Sequence, residues 1–162
     1  TLAENALLSG YRRRGLVQLG MVGMKRIVAL AAEVIRHFDV RTTGPKAEAR
    51  SLSGGNLQKF IVGREILQNP IVLVVAQPTW GVDAGAAAAI HQALLDLATT
   101  GAAVIIISQD LDEIMQIADR IAIIARGRLS PAIPTALATI AEIGLLMGGV
   151  PTAPGAGVSH AY

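Results

Sequence analysis

Cysteine is absent from the 162 residues, which excludes a disulfide scaffold, thiolate zinc sites and thiol catalysis, and leans the reading toward a reducing, cytosolic compartment. Aromatic residues are scarce at 3%, so a base-stacking surface lacks its material and no nucleic-acid partner is expected. Charged residues reach only 16%, against roughly 25% in typical soluble domains, so some apolar surface is expected to face a partner. No unbroken apolar run suffices for a membrane-spanning helix, which needs about 20 such residues. The charge-free stretches are interrupted by Asn69, Pro70, Gln77 and Pro78, and further on by Pro131, Pro134, Glu142 and Pro151. Nor does Thr1 to Gly10, with Glu4 and Asn5, have the apolar core of a secretory leader.

What is present is aliphatic. Hydrophobic residues make up 52% and the mean hydropathy is +0.50, carried by Ala, Val, Ile and Leu, enough to build the core of one domain or of a piece of one. Charge is uneven: residues 1–50 hold nine Lys/Arg against four Asp/Glu, and residues 51–162 hold five against eight. The only basic run, Arg12, Arg13 and Arg14, is too short for a nucleic-acid stripe and reads as a solvated turn. Val22 to Phe38 reads as one amphipathic helix with Ile27, Leu30, Ala31, Val34 and Phe38 on its apolar stripe, and Leu2 to Leu8 as a shorter helix. After a polar loop over Arg41 to Arg50, β-branched runs (Ile71 to Val75, Ala103 to Ile107, Arg120 to Ala125) alternate with helical patterns (Ala84 to Ala98, Leu111 to Ala118). That alternation predicts an α/β fold with a parallel sheet covered on both faces. Gly127 between Arg126 and Arg128 marks a turn to another short strand, Thr135 to Met147 a closing helix, and the Gly/Pro/Ala-rich end a disordered tail.

The most informative run is Leu52, Ser53, Gly54, Gly55, Asn56, Leu57, Gln58, Lys59, directly before the helical pattern Phe60 to Leu67. Two glycines let backbone N–H groups approach a ligand, Ser53 can cap the helix, and the helix dipole adds positive potential; together these suit a phosphate. A plain Ser-Gly-Gly cap is the alternative, and context separates the two. Downstream come Pro70, a buried strand, and then Gln77, Pro78, Thr79, Trp80, Gly81, Val82, Asp83.

In this order and spacing the chain resembles the nucleotide-binding domain of ATP-binding cassette (ABC) transporters. Leu52 to Gln58 is similar to the signature motif, Leu73 to Gln77 to the Walker B strand, Trp80 to Asp83 to the D-loop, and Ser108 to Glu113 to the switch segment. The resemblance covers roughly residues 1–149, and Asp119, Arg120, Ile121 and the Gly127 turn continue it. Glu4 and Asn5, Phe38 to Arg41, Ser51 to Lys59, Ala76 to Thr79 and Ile143 to Gly148 resemble the second, C-terminal cassette of the fused ATPases of nucleoside and simple-sugar importers; Ala-Gln-Pro-Thr at 76–79 favours the nucleoside branch.

The resemblance implies a partial P-loop NTPase core with a parallel sheet plus a helical subdomain. The expected divisions are the helical subdomain at 1–50, the partial ATPase core at 51–130, a C-terminal helix at 131–149 and a disordered tail at 150–162. It implies a function for the assembly: ATP binding and hydrolysis coupled to import of a nucleoside or simple sugar, on the cytoplasmic face of the inner membrane. In the family two cassettes pack head to tail, and each ATP lies between the Walker A loop of one and the signature of the other. Ser53, Gly54, Gly55 and Asn56 would thus meet an ATP held by the opposing cassette, Asp83 would help connect the two sites, and residues 1–50 would lie near the membrane permease.

A Walker A loop needs Gly-x-x-x-x-Gly-Lys-Ser/Thr, and no Gly-Lys pair exists in the sequence, so the chain alone is expected to bind neither ATP nor Mg²⁺. The family's metal-linked Asp falls on Ala76, its catalytic Glu on Gln77 and its switch His on Gln109. Alanine offers the metal no oxygen, and an amide cannot take a proton from water at neutral pH, so no catalytic residue is expected here. The missing loop is explained most simply by an N-terminal part lying outside this chain. A fragment of that kind would expose sheet edges and apolar faces and self-associate. The rival reading, a non-catalytic regulatory or assembly module, rests on the three losses; a DNA-repair or translation ATPase would need a long insertion or a basic arm, and has neither.

Trp80 stands where relatives have Arg and reads either as an altered contact across the cassette interface or, preferred here, as a ring filling a local groove. His37, His91 and His160 share no metal-ligand spacing, and Asp112 and Glu113 read as a solvated helix start.

Overall fold

The computed structural model describes residues 1–10, 16–18 and 21–149, which form two compact units divided after Gln109. The basic run Arg12 to Arg14, the tail from residue 150 and His160 lie outside the described residues.

In the first unit, helices α1 (Leu2–Gly10), α2 (Met24–His37) and α3 (Gly54–Ile66) close over an apolar core. Helix α2 contributes Ile27, Leu30, Ala31 and Val34, the i, i+3, i+4, i+7 stripe the sequence predicts. It begins two residues later than expected because Met21–Val22 (β2) pairs instead with Val17–Gln18 (β1). Arg36 and His37 end α2 against its negative dipole end, and Asp39 turns the chain with φ of 47°. Helix α3 starts at Gly54, six residues before the periodic segment suggests, and it serves two cores. Phe60 packs with Leu2, Ile27 and Val34 among the helices, while Val62 packs with Leu73, Ile90, Leu94 and Leu97 beneath the sheet. Gly63 permits the close approach to α2, since a Cβ there would lie 2.4 Å from a Phe38 ring carbon.

Strands β3 (Val72–Ala76) and β4 (Ala103–Ile107) pair in parallel from Val72↔Ala103 to Ala76↔Ile107, joined through α4 (Ala84–Thr99). The expected covering of both faces is not found. Leu73, Val75, Val104 and Ile106 pack toward α4, but Val72, Val74, Ile105 and Ile107 are each more than half exposed on the other face. The alternation of these strands is thus a one-sided burial written entirely in apolar residues, which sequence cannot distinguish from burial on both sides.

The second unit holds α5 (Leu111–Ile117), four two-residue strands and α6 (Ile140–Met147) around Ile121, Ile123 and Ile143. The single strand expected over Arg120 to Ala125 is two: Arg120–Ile121 (β5) pairs with Ile133–Pro134 (β8), and Ile124–Ala125 (β6) with Arg128–Leu129 (β7), all antiparallel. Between them the Ile123 N–H donates to the Ser130 hydroxyl, so a side chain replaces the ladder. Positive φ at Arg126 and Gly127 makes the expected hairpin turn. The closing helix is also divided, into a 3₁₀ turn (Thr135–Leu137) and α6, because the Thr139 hydroxyl accepts from the Glu142 N–H and starts a new helix. Glu113, read as a solvated helix-start carboxylate, is buried, while Asp112 is exposed; Asp110 caps α5 through the Glu113 N–H.

Among the described residues no helix is long and apolar enough to cross a membrane.

Candidate functional site

Ser53, Gly54, Gly55 and Asn56 form the first turn of α3 at the surface of the first unit. Ser53 occupies the N-cap position with extended backbone, but its side chain makes no capping hydrogen bond. This corrects the expectation of a Ser53 cap: the Ser53 hydroxyl is taken up by Asn56, whose Nδ2 donates to Oγ at 2.9 Å. Among the described residues no hydrogen bond occupies the backbone N–H groups of Gly54, Gly55 and Asn56. Gly54 is exposed and Gly55 buried; a helix start whose donors have no partner within the chain favours an anion, with the helix dipole adding to it.

The glycines have a second purpose that the sequence did not disclose. A Cβ on Gly54 would sit 3.0 Å from the Gly81 carbonyl oxygen, and one on Gly55 would sit 3.2 Å from Ala86 Cβ and 3.5 Å from Asp83 Oδ2. The turn 53–56 therefore rests directly on the loop 81–86, and a methyl group at Gly54 would need the Gly81 carbonyl to give way. Asp83 belongs to the same contact. Its carboxylate caps α4, accepting from the Ala86 N–H at 2.9 Å. That backbone donor holds the Asp83 carboxyl below the usual carboxylate range against an opposing desolvation, with the Lys59 ammonium adding a small further lowering.

On the other side the turn is fastened to the segment after α2. The Arg41 N–H donates to Asn56 Oδ1 at 2.7 Å, and Lys59 Nζ donates to the Asp39 carbonyl at 3.1 Å. These fastenings went unforeseen. Lys59 stood in the quoted run without a role, and the Arg41 contact is made by a backbone N–H, which no residue type signals.

The second group of positions lies at the carboxyl ends of β3 and β4, the edge of an α/β sheet where ligands ordinarily sit. Gln77, half-buried with φ of 49°, donates its N–H to the Ile107 carbonyl at 2.7 Å, and Gln109 follows β4 at the same edge. Ala76, Gln77 and Gln109 bring no carboxylate or imidazole to it, and among the described residues no group of three His, Cys, Asp or Glu could hold a metal ion. The donor set at this edge does not fit Mg²⁺. His37 is exposed with its ring tilted against Phe38, and His91 is half-buried on α4.

Trp80 departs from the preferred expectation of a ring in a groove. It is 76% exposed, at the tip of a loop anchored by buried Pro78 and by the Trp80 N–H donating to the Gln77 carbonyl.

No family model matches the chain. It is 42% identical over 148 residues to the guanosine import ATP-binding protein NupO of Bacillus subtilis, covering 91% of this chain and 29% of that protein. It is likewise 42% identical over 149 residues to the nucleoside import ATP-binding protein NupA of Lactococcus lactis, covering 92% and 29%. A putative ribose/galactose/methyl galactoside import ATP-binding protein of Agrobacterium fabrum is 41% identical over 133 residues, covering 82% and 26%. The chain thus spans about three tenths of the length of these curated relatives. Its fold is similar to the dimeric post-hydrolysis structure of the cassette MJ0796 bound to ADP and Pi, with a TM-score of 0.65 at 24% identity, covering 83% of this chain and 56% of that one. It is similar also to an inward-facing putative metal-chelate type ABC transporter, with a TM-score of 0.73 at 16% identity, covering 93% and 59%.

Proposed function

We propose that this chain, a homologue of nucleoside- and sugar-import ATP-binding proteins with the fold of part of an ABC ATPase cassette, supplies the signature turn of a composite ATP site in an importer. The observation that supports the reading is the turn itself: three backbone N–H groups at 54–56 that have no hydrogen-bond partner among the described residues, beside Asn56, Lys59 and Asp83 side chains that are fastened elsewhere. The ligand is the terminal phosphate of an ATP held by an opposing cassette. Ser53 offers its hydroxyl, Gly54, Gly55 and Asn56 offer backbone donors, and Asp83 keeps the adjoining loop in place.

The importer couples ATP binding and hydrolysis to uptake of a nucleoside or simple sugar, and the permease and a binding protein choose between them. ATP and Mg²⁺ belong to the whole assembly. Ala76 and Gln77 provide neither metal ligand nor general base, so this chain contributes no hydrolytic chemistry of its own. Residues 1–50 are the helical subdomain, 51–130 part of the ATPase core and 131–149 the closing segment of a longer ATPase whose Walker A loop lies elsewhere in the polypeptide. That ATPase sits at the cytoplasmic face of the plasma membrane, with the permease beside the helical subdomain and no nucleic acid involved. A second reading, a non-catalytic assembly or regulatory module, draws on the same losses at Ala76, Gln77 and Gln109.

The test compares two substitutions in the assembled transporter in membranes. Gly54 is unsuited to it, since a Cβ there would lie 3.0 Å from the Gly81 carbonyl oxygen and mix charge with displacement of that loop, so the added charge is placed on exposed Ser53. Ser53→Asp sets a carboxylate against the phosphate and lowers phosphate release by about a hundredfold, the scale of losing an oxyanion donor. Gln77→Glu restores one carboxylate beside Ala76 and Gln109 and changes release by less than about twofold, because the metal anchor is still missing. The reverse outcome would make the strand edge the working site; no effect of either favours the assembly module.

A further inference from the structure

We infer that Asn56 is a positioning residue whose carboxamide turns the Ser53 hydroxyl outward as a hydrogen-bond donor and registers it against the segment that follows α2. The inference rests on the proposed role of the signature turn and adds to it an assignment of which atoms carry the proton.

The geometry fixes the direction of both hydrogen bonds. The Arg41 backbone N–H can only donate, so the atom of Asn56 that it meets at 2.7 Å must be the carbonyl Oδ1. The other end of the amide, facing Ser53 at 2.9 Å, is then Nδ2, which also can only donate. Ser53 Oγ is therefore the acceptor, and its own proton is left to point elsewhere. Among the described residues no acceptor takes that proton, and Ser53 is exposed. An anion arriving at the helix start meets a hydroxyl whose proton is already turned toward it, alongside the three backbone donors. Without Asn56 the hydroxyl rotates freely and can turn a lone pair to the phosphate as readily as its proton.

The same side chain carries position as well as polarity. Arg41 lies fifteen residues before Asn56, directly after the turn that ends α2, and Lys59 grips the Asp39 carbonyl one helical turn along α3. One amide plane thus links the Arg41 backbone to the Ser53 hydroxyl.

The experiment has two arms. On the 162-residue chain, amide hydrogen exchange at Arg41 is compared in the parent, Asn56→Ala and Asn56→Asp. Asn56→Ala removes the acceptor and speeds exchange at Arg41 about tenfold or more, whereas Asn56→Asp keeps an oxygen there and leaves Arg41 protected. Unchanged exchange in Asn56→Ala overturns the bracket. In the assembled transporter, a double-mutant cycle of Ser53→Ala with Asn56→Ala is read as KM for Mg·ATP and as kcat.

Each single change raises KM about fivefold and leaves kcat within about twofold, and the double variant is no worse than Ser53→Ala alone. Should Asn56→Ala lower the melting temperature of the chain, the cycle is read at a temperature well below both midpoints, where parent and variant are both folded. Full additivity, or an Asn56 effect on stability with KM untouched, shows a merely structural residue and overturns the inference while the signature reading stands. No effect of Ser53→Ala on KM overturns the signature reading itself, and the Asn56 inference with it.

Discussion

Two parts of the first unit are open to solvent for opposite reasons. At the start of α3 the exposed groups are polar and water can satisfy them; among the neighbouring side chains Asn56 is fastened to Arg41 and Ser53, Lys59 to Asp39 and Asp83 to Ala86. On the outer face of β3 and β4 the exposed groups are Val72, Val74, Ile105 and Ile107, and every Å² of them left wet forgoes about 25 cal/mol of burial. The turn is complete within one chain, whereas the sheet face calls for cover, since parallel strands seldom leave a face to water. Exposure alone therefore does not mark one kind of function: a polar opening suits a ligand, and an apolar one suits a cover.

The largest effect that would break this contrast concerns the sheet. The purified chain should self-associate through the β3–β4 face, with sedimentation velocity showing species larger than a monomer at micromolar concentration. Val74 and Ile105 are cross-strand partners, so Val74→Lys with Ile105→Glu places opposite charges side by side and preserves the pair while making the face polar. The double variant should sediment as a monomer with thermal stability close to the parent, because both positions are already exposed. A parent that stays monomeric at every accessible concentration, unfolding cooperatively, would show that the face tolerates water and needs no cover.

How far these features could be read from sequence differs along the same line. The clustering of Ser53, Gly54, Gly55, Asn56 and Asp83 was legible from the resemblance in motif order, and the fold does bring these five positions together. The α2 stripe was legible because 3.6-residue periodicity survives any packing. The bare face was not, because Val and Ile are written identically whether a strand is covered on one side or two. The division of Arg120 to Ala125 into two strands was hidden in a single contact from Ser130, seven residues away. The fastening of Asn56 was hidden for a different reason: its partner is main chain, common to every residue but proline.

A smaller effect sharpens the polar side of the contrast. The Asp83 carboxyl is held below its ordinary range in the folded chain, chiefly by the Ala86 N–H, so the ionised cap favours the folded state. The sign follows: this contribution is fully present above the unfolded carboxyl range and is lost as pH falls through the lowered folded value. Asp83→Asn keeps an acceptor oxygen for Ala86 but removes the charge. Its melting temperature should lie slightly below the parent's at neutral pH, and the two curves should converge in strong acid. A gap that persists unchanged at low pH would mean that the cap acts through shape and not through charge.

The smallest expected effect is at Trp80, which combines both kinds of exposure: an apolar ring, 76% exposed, on the loop that supports the polar turn. Its loop is held without the ring, by buried Pro78 and by the backbone bond to Gln77, so Trp80→Ala should shift stability by no more than about 0.5 kcal/mol. Because Trp80 is the only tryptophan in the sequence, its fluorescence reports this one loop. Acrylamide should quench it almost as readily as free indole in the charged-face variant Val74→Lys with Ile105→Glu. If association runs through the sheet, quenching in the parent should be equally efficient from dilute to concentrated solution, the tip of the loop remaining wet while the strands are covered. Shielding of Trp80 that grows with concentration would put the loop inside the contact, and the polar turn and the apolar face would then be parts of one surface.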